Sequence, residues 1–407
     1  MSLGDKNLVV STPPEATKTK NASQGVLLVA VVLVALNLRA ALSSLPTVIT
    51  DIQATTGWSD ATLGILTTIP VLCMGILALT VPALALHLGR KLLVVIAMGS
   101  LAIAMLLRAI ETAPALLFLS AFLAGLGIAL SAGVIPSIVR DQLPHALGKA
   151  TALWTSAMMA SAALGAALTV PIALWLGSWS LALAVWALPV IIALLFWLFA
   201  ERNSPNHDRP TTVFSLRTLP WRSPLAWALT LNMTINSIVF YITIAWLAPS
   251  YVERGWSQEE AGWLFGIFAV AQVVAALLLG GLSARLKYRR SVFSLAIVCT
   301  AVALVTIGYA PTFQPWFILL IFGFSISGSF AMMLGLLSEY STGPLSAARL
   351  TAMSFFITYS VAAIGPFVSG LLLDTFESWT IVFSVVAVIA LTQLFFVRLL
   401  RRNVAVD

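Results

Sequence analysis

The chain has 407 residues, of which 60% are hydrophobic and 9% are charged, and its mean hydropathy is +1.01. Soluble domains carry roughly 25% charged residues, so this composition excludes a water-soluble protein. The net charge of +7 reads as a topology signal rather than a nucleic-acid surface.

Residues 1–24 form a polar tail. Apolar runs of about 20 residues, each sufficient to cross a ~30 Å hydrocarbon core as a helix, follow at 25–46, 61–85, 91–110, 115–138, 149–173 and 178–199. A linker with prolines and arginines occupies 200–223, and six more runs lie at 224–247, 259–283, 291–309, 315–338, 351–372 and 378–399. The expected fold is an all-α polytopic membrane protein with twelve transmembrane helices. The bundles span 25–199 and 224–400, and a short tail covers 401–407. The runs lack the alternating polarity of a membrane β-barrel, and the first reads as an uncleaved span. Cys73 and Cys299 fall inside runs and have no disulfide or metal-ligand spacing, so no cofactor or metal is expected.

Of the 22 lysines and arginines, all but Arg39, Arg108 and Arg254 fall on one side of the spans. Basic residues accumulate on the cytoplasmic side, which places both termini and the linker there and predicts an inner-membrane protein. Residues 55–66, TTGWSDATLGIL, and 253–264, ERGWSQEEAGWL, share Gly-Trp-Ser at the entry to the second helix of each half, at an offset of 198 residues. Repeats of six spans have the same orientation, as in transporters whose solute site lies between the halves near the midplane. Ser59 and Ser257 are N-cap candidates for those helices.

No carboxylate or histidine falls mid-span; the fifteen acidic residues sit at tails, loops or span ends. Arg39, in LNLRAALSSLP, is therefore the one ionisable side chain expected near the bilayer centre. Such a charge faces an interior cavity or a partner, with snorkelling to the interface as the alternative. An anionic or strongly dipolar solute would supply the missing counter-charge. Helical spacing puts Ser43 and Pro46 on the face of Arg39 and Asn37 on another, with Pro46 expected to end the helix. In span 7, Asn232 and Asn236 form a polar stripe with Thr243, close to Tyr241, and the repeat offset sets Ser237 opposite Arg39. Trp154, Gln272 and Tyr359 complete the candidate solute-binding set, helix packing being the other reading of these three.

The stretch HLGRK at 87–91 stands where the major facilitator superfamily carries its Gly-x-x-x-Asp-Arg-x-Gly-Arg-Lys signature, with Pro82 and Leu86 replacing the leading glycine and the acidic residue. The chain resembles that superfamily over all twelve spans. Within it, LNLRAALSSLP, GVIPSIVRDQLP and IAWLAPSYVERG resemble the cyanate and 2-nitroimidazole transporter branch. The resemblance implies small, flat, weakly polar or anionic nitrogen compounds as solutes, and a conformational latch at Gly89, Arg90, Lys91 and Arg140.

An enzyme would need paired carboxylates, a metal cluster or a nucleophile with its base, and an ATP-driven pump a phosphate-binding loop. None is evident, ALGKAT at 146–151 lacking the leading glycine. The expected function is secondary active or facilitative transport by alternating access, the alternative being efflux of flat aromatic compounds. Facilitated diffusion, exchange and proton co-transport all stay open. The expected partners are a small-molecule solute and membrane lipid, with no nucleic acid, and the expected state is monomeric.

Overall fold

The computed structural model describes residues 16–111, 113–201, 218–282 and 289–399. The tail to residue 15, residues 202–217 of the linker, the basic loop at 283–288 and the tail from 400 lie outside the described residues.

Twelve helices among the described residues are long and apolar enough to cross a membrane. They are span 1 (Gln24–Thr47), span 2 (Asp60–Ala78), span 3 (Arg90–Leu107), span 4 (Leu116–Gln142), span 5 (Lys149–Leu176), span 6 (Trp179–Ala200), span 7 (Pro224–Val252), span 8 (Gln258–Leu279), span 9 (Arg290–Tyr309), span 10 (Pro315–Leu337), span 11 (Leu345–Phe376) and span 12 (Trp379–Arg398). Two departures from the expected boundaries lie beside a proline, which removes a backbone donor and clashes with the preceding turn. Span 2 stops at Ala78, and a separate helix, Val81–Leu88, begins with Pro82 in its first turn. Span 11 is longer than expected and breaks at Ala363, three residues before Pro366. Span 1, interrupted at Arg39, ends at Thr47, one residue after Pro46 and so where that proline was expected to end it. The chain breaks at Val48 and resumes as the helix Ile49–Thr56, with Asp51 favourably placed in its first turn.

The packing repeats with a period of six spans. Span 1 packs on 5 and 6, span 2 on 4, and span 3 on 4 and 6; span 7 packs on 11 and 12, span 8 on 10, and span 9 on 10 and 12. Two six-helix bundles related by pseudo-symmetry result. They meet where span 2 faces span 11, span 5 faces span 8 and span 1 faces span 7. Small residues allow the close approach: a Cβ on Gly64 would stand 2.6 Å from the Pro366 carbonyl oxygen, and one on Gly75 would stand 2.5 Å from the Ser360 amide nitrogen.

The Gly-Trp-Ser repeats begin spans 2 and 8. Ser59 Oγ accepts from the Thr62 amide. Ser257 Oγ accepts from the Glu260 amide at 3.1 Å while the Glu260 carboxylate accepts from the Ser257 amide at 3.0 Å, a reciprocal capping box. This end of the bundle, opposite the basic loops, is here called the far end. Hydrogen bonds join the halves there. The Asp374 carboxylate on span 11 accepts from the amides of Asp60 and Ala61 at the start of span 2, both at 2.9 Å. Gln258 Nε2 on span 8 donates to Asp51 Oδ1 at 2.7 Å and Thr50 Oγ1 at 3.2 Å.

Candidate functional site

Arg39 is the sixteenth residue of span 1, about 22 Å along the helix at 1.5 Å per residue. It is 9% exposed, so it does not snorkel into an open interface in this structure. Its guanidinium lies 5.6 Å from the centre of the Phe240 ring on span 7, a cation–π contact that offsets part of the cost of burial. Its Nε is buried without a hydrogen-bond partner.

The guanidinium opens into a small, narrow cavity between the two halves. Arg39 and Met159 come from the first half. Asn236, Ser237, Tyr241, Gln272, Ser327, Phe330 and Tyr359 are among those from the second. No carboxylate is among its lining residues. The Tyr241 and Tyr359 rings meet edge to face at 6.2 Å, and both phenols lie within electrostatic reach of Arg39. Asn236 Nδ2 donates to the Ile326 carbonyl at 3.3 Å, and Ser327 Oγ to the Gln272 carbonyl at 3.1 Å. These bonds tie spans 7, 8 and 10 together beneath the cavity. The result is a fixed cation on an aromatic support, ringed by hydroxyl and amide groups.

Five of the eight candidate binding residues, Arg39, Asn236, Tyr241, Gln272 and Tyr359, line this cavity. Three lie off it. Ser43 Oγ donates to the Arg39 carbonyl at 3.1 Å, Asn232 Nδ2 to the Gln393 carbonyl of span 12 at 3.3 Å, and Trp154 packs within the apolar core of the first half. Asn37 points away from Arg39 as expected and donates to the Pro189 carbonyl of span 6. Sequence reasoning missed Phe240, Ser327, Phe330 and Met159. Ser237 was marked by the repeat offset as the counterpart of Arg39, and it lines the same cavity.

At the basic end, Arg90 is 3% exposed and donates from Nη1 to Asp141 Oδ2 at 2.6 Å. Arg140 Nε donates to Asp141 Oδ1 at 3.2 Å. Both arginines of the expected latch thus hold one carboxylate at the end of span 4. Gly89 precedes span 3 with φ of 81°, a conformation glycine adopts without steric cost, and Lys91 is half-buried beside it. Arg108 departs from expectation. Placed by sequence among far-end residues, it is 2% exposed, because its side chain turns inward among spans 1, 3 and 4.

A family model described as Major Facilitator Superfamily matches residues 27–257 and again 229–406. The chain belongs to this superfamily. It is similar to two proteins of Escherichia coli strain K12. The 2-nitroimidazole transporter is 28% identical over 382 residues, covering 94% of this chain and 96% of that protein. The cyanate transport protein CynX is 30% identical over 346 residues, covering 85% and 89%. Among solved structures, a bacterial homolog to the human lysosomal transporter Spinster, inward-facing and occupied, matches with a TM-score of 0.76 at 16% identity, over 92% of this chain and 96% of that one. A D-xylose-proton symporter matches with a TM-score of 0.73 at 16% identity, over 94% and 98%. At that identity the structural likeness speaks for the fold alone. This member of the major facilitator superfamily is a multi-pass membrane transporter of small solutes and not an enzyme.

Proposed function

We propose that the protein moves a small anionic or strongly dipolar solute by alternating access, with Arg39 as the positive centre that binds it. The observation that carries this reading is a buried guanidinium aimed into a cavity between the halves that no carboxylate lines. Arginine stays charged and presents a planar donor fork, so an anionic edge of the solute completes the Arg39 environment. The Tyr241 and Tyr359 hydroxyls and the Asn236 and Gln272 amides orient it, while Phe240 and Phe330 favour a flat molecule. Relatives named for cyanate and 2-nitroimidazole support compounds of that size and shape. The distribution of lysine and arginine favours basic loops that face the cytoplasm, with both termini on that side of the inner membrane. The halves rock about the cavity, the far-end bonds closing one face, while Arg90 and Arg140, both held to Asp141 within the first half, stand at the other.

The test is uptake of cyanate and of 2-nitroimidazole into proteoliposomes by wild type, Arg39→Lys and Arg39→Ala. Losing charge-assisted hydrogen bonds of this kind weakens solute binding by about 10- to 100-fold, with Arg39→Lys less affected. Unchanged transport by Arg39→Ala sinks the reading. The aromatic lining favours a second reading, efflux of flat aromatic compounds, which survives loss of the arginine and shows the opposite direction of net flux. Accumulation driven by an imposed pH gradient establishes proton co-transport.

A further inference from the structure

Span 1 is broken at Arg39 itself. The first helical segment ends at Leu38 and the next begins at Ala40. In an unbroken helix the Ala40 amide would donate to the Leu36 carbonyl; here it donates to Ser161 Oγ of span 5 at 2.8 Å. Ser161 is fully buried. One residue further, the Ala41 carbonyl accepts from Arg108 Nη2 at 3.2 Å, and Arg108 Nε donates to Ser120 Oγ of span 4 at 2.8 Å. The break is therefore held through its amide from span 5 and through its carbonyl by a residue at the end of span 3.

Arg108 is an expensive way to bind one carbonyl. It has no carboxylate partner among the described residues, and its Nη1 is buried with no partner. A buried cation without a counter-ion carries a large desolvation cost. Its backbone caps the C-terminal end of span 3, where the helix dipole supplies partial negative charge, and the Ala41 carbonyl adds more. Gly165 lies one turn after Ser161, and a Cβ there would stand 2.5 Å from Ser43 Oγ and 2.8 Å from Ala40 Cα. The short helix Ala40–Thr47 has no room to move toward span 5.

We propose that Ser161 and Arg108 are positioning residues for Arg39. They fix the short helix Ala40–Thr47 at both sides of its first peptide units, so that the guanidinium leaves the break in one direction, into the cavity. The inference rests on the proposed binding role of Arg39, and its test separates the two. Hydrogen exchange of the full-length protein in lipid nanodiscs, read on peptides covering residues 36–48, needs no solute. Ser161→Ala and Arg108→Lys should each raise exchange in that segment about tenfold, the factor that one buried hydrogen bond is worth, and Arg39→Ala should not. Proteoliposome uptake of cyanate should show a KM raised about tenfold in Ser161→Ala, with kcat within about twofold of wild type. Unchanged exchange in Ser161→Ala overturns the proposal. So does raised exchange with an unchanged KM in a transporter that Arg39→Ala inactivates. If Arg39→Ala transports normally, the binding role fails, and raised exchange still upholds the hold on the break.

Discussion

At the scale of single residues, the two asparagines of span 7 illustrate how much helical spacing can and cannot say. Asn232 and Asn236 are one turn apart and share a stripe, yet Asn236 lines the cavity while Asn232 donates to the Gln393 carbonyl on span 12. Asn236→Ala should raise the KM of the transported solute about fivefold to tenfold through a lost hydrogen bond. Asn232→Ala should leave KM unchanged and lower thermal stability by roughly 0.5–1 kcal/mol, the usual size of an interhelical polar contact in a membrane. Transport kinetics and thermal unfolding of the same purified variants give both numbers, and a KM effect of equal size in the two would show that the cavity reaches Asn232. Arg39 was legible because charge is so scarce among these spans that one arginine stands out. Arg108 was not, since arginine at the end of an apolar run reads as a flanking residue and nothing in its sequence neighbourhood shows that it turns inward. Phe240 and Phe330 were invisible for a related reason: an aromatic side chain on a membrane helix looks the same whether it faces lipid, core or cavity.

At the scale of elements, the twelve spans were legible because an unbroken run of apolar residues in a membrane has one way to satisfy its backbone, as a helix. The breaks were legible only in part. Pro82 and Pro366 mark the interruptions in their vicinity, but the break at Arg39 has no proline within a turn before it, and is held instead by span 5 from 121 residues away. Contact between helices decides such features, and glycine placement shows where contact is closest. Gly165→Ala puts a methyl group against Ala40 backbone that cannot give way, whereas the Cβ of Gly266→Ala on span 8 meets Ala167 Cβ at an ordinary 3.6 Å. Overpacking of this kind costs about 1–3 kcal/mol. Gly165→Ala should therefore lose about that much thermal stability in detergent while Gly266→Ala stays close to wild type. Equal stability of the two would show that the short helix Ala40–Thr47 is free to shift.

At the scale of the whole molecule, transport by rocking halves requires that whatever seals the far end be strong enough to hold and weak enough to release. The seal on span 2 consists of a carboxylate meeting a helix start: Asp374 accepts two amides that the helix itself leaves unpaired. The dipole adds to the attraction. Asp60, also at that start, brings a second negative charge to the junction, so the seal combines two charge-assisted bonds with a like-charge repulsion. The short helix Ile49–Thr56 carries the other seal through Thr50 and Asp51, and it follows directly on the segment that begins at Arg39. In the proposed function, solute binding at Arg39 and closure at the far end are thus borne by one continuous stretch of chain. Asp374→Asn keeps the shape and removes the charge, and an amide offers one acceptor oxygen where the carboxylate offers two. The loss of a charge-assisted bond, about 1.5–3 kcal/mol, is enough to shift a two-state equilibrium by roughly 10- to 100-fold toward the form open at the far end. Spin labels on cysteines placed at the exposed Ala54 and Glu259, in a background lacking Cys73 and Cys299, report that separation across the halves. Asp374→Asn should add a longer-distance population absent from wild type, while Asp374→Glu should keep most of the short one. A distance distribution unchanged by Asp374→Asn would assign the seal to the Gln258 contacts and to the apolar packing of spans 2 and 11.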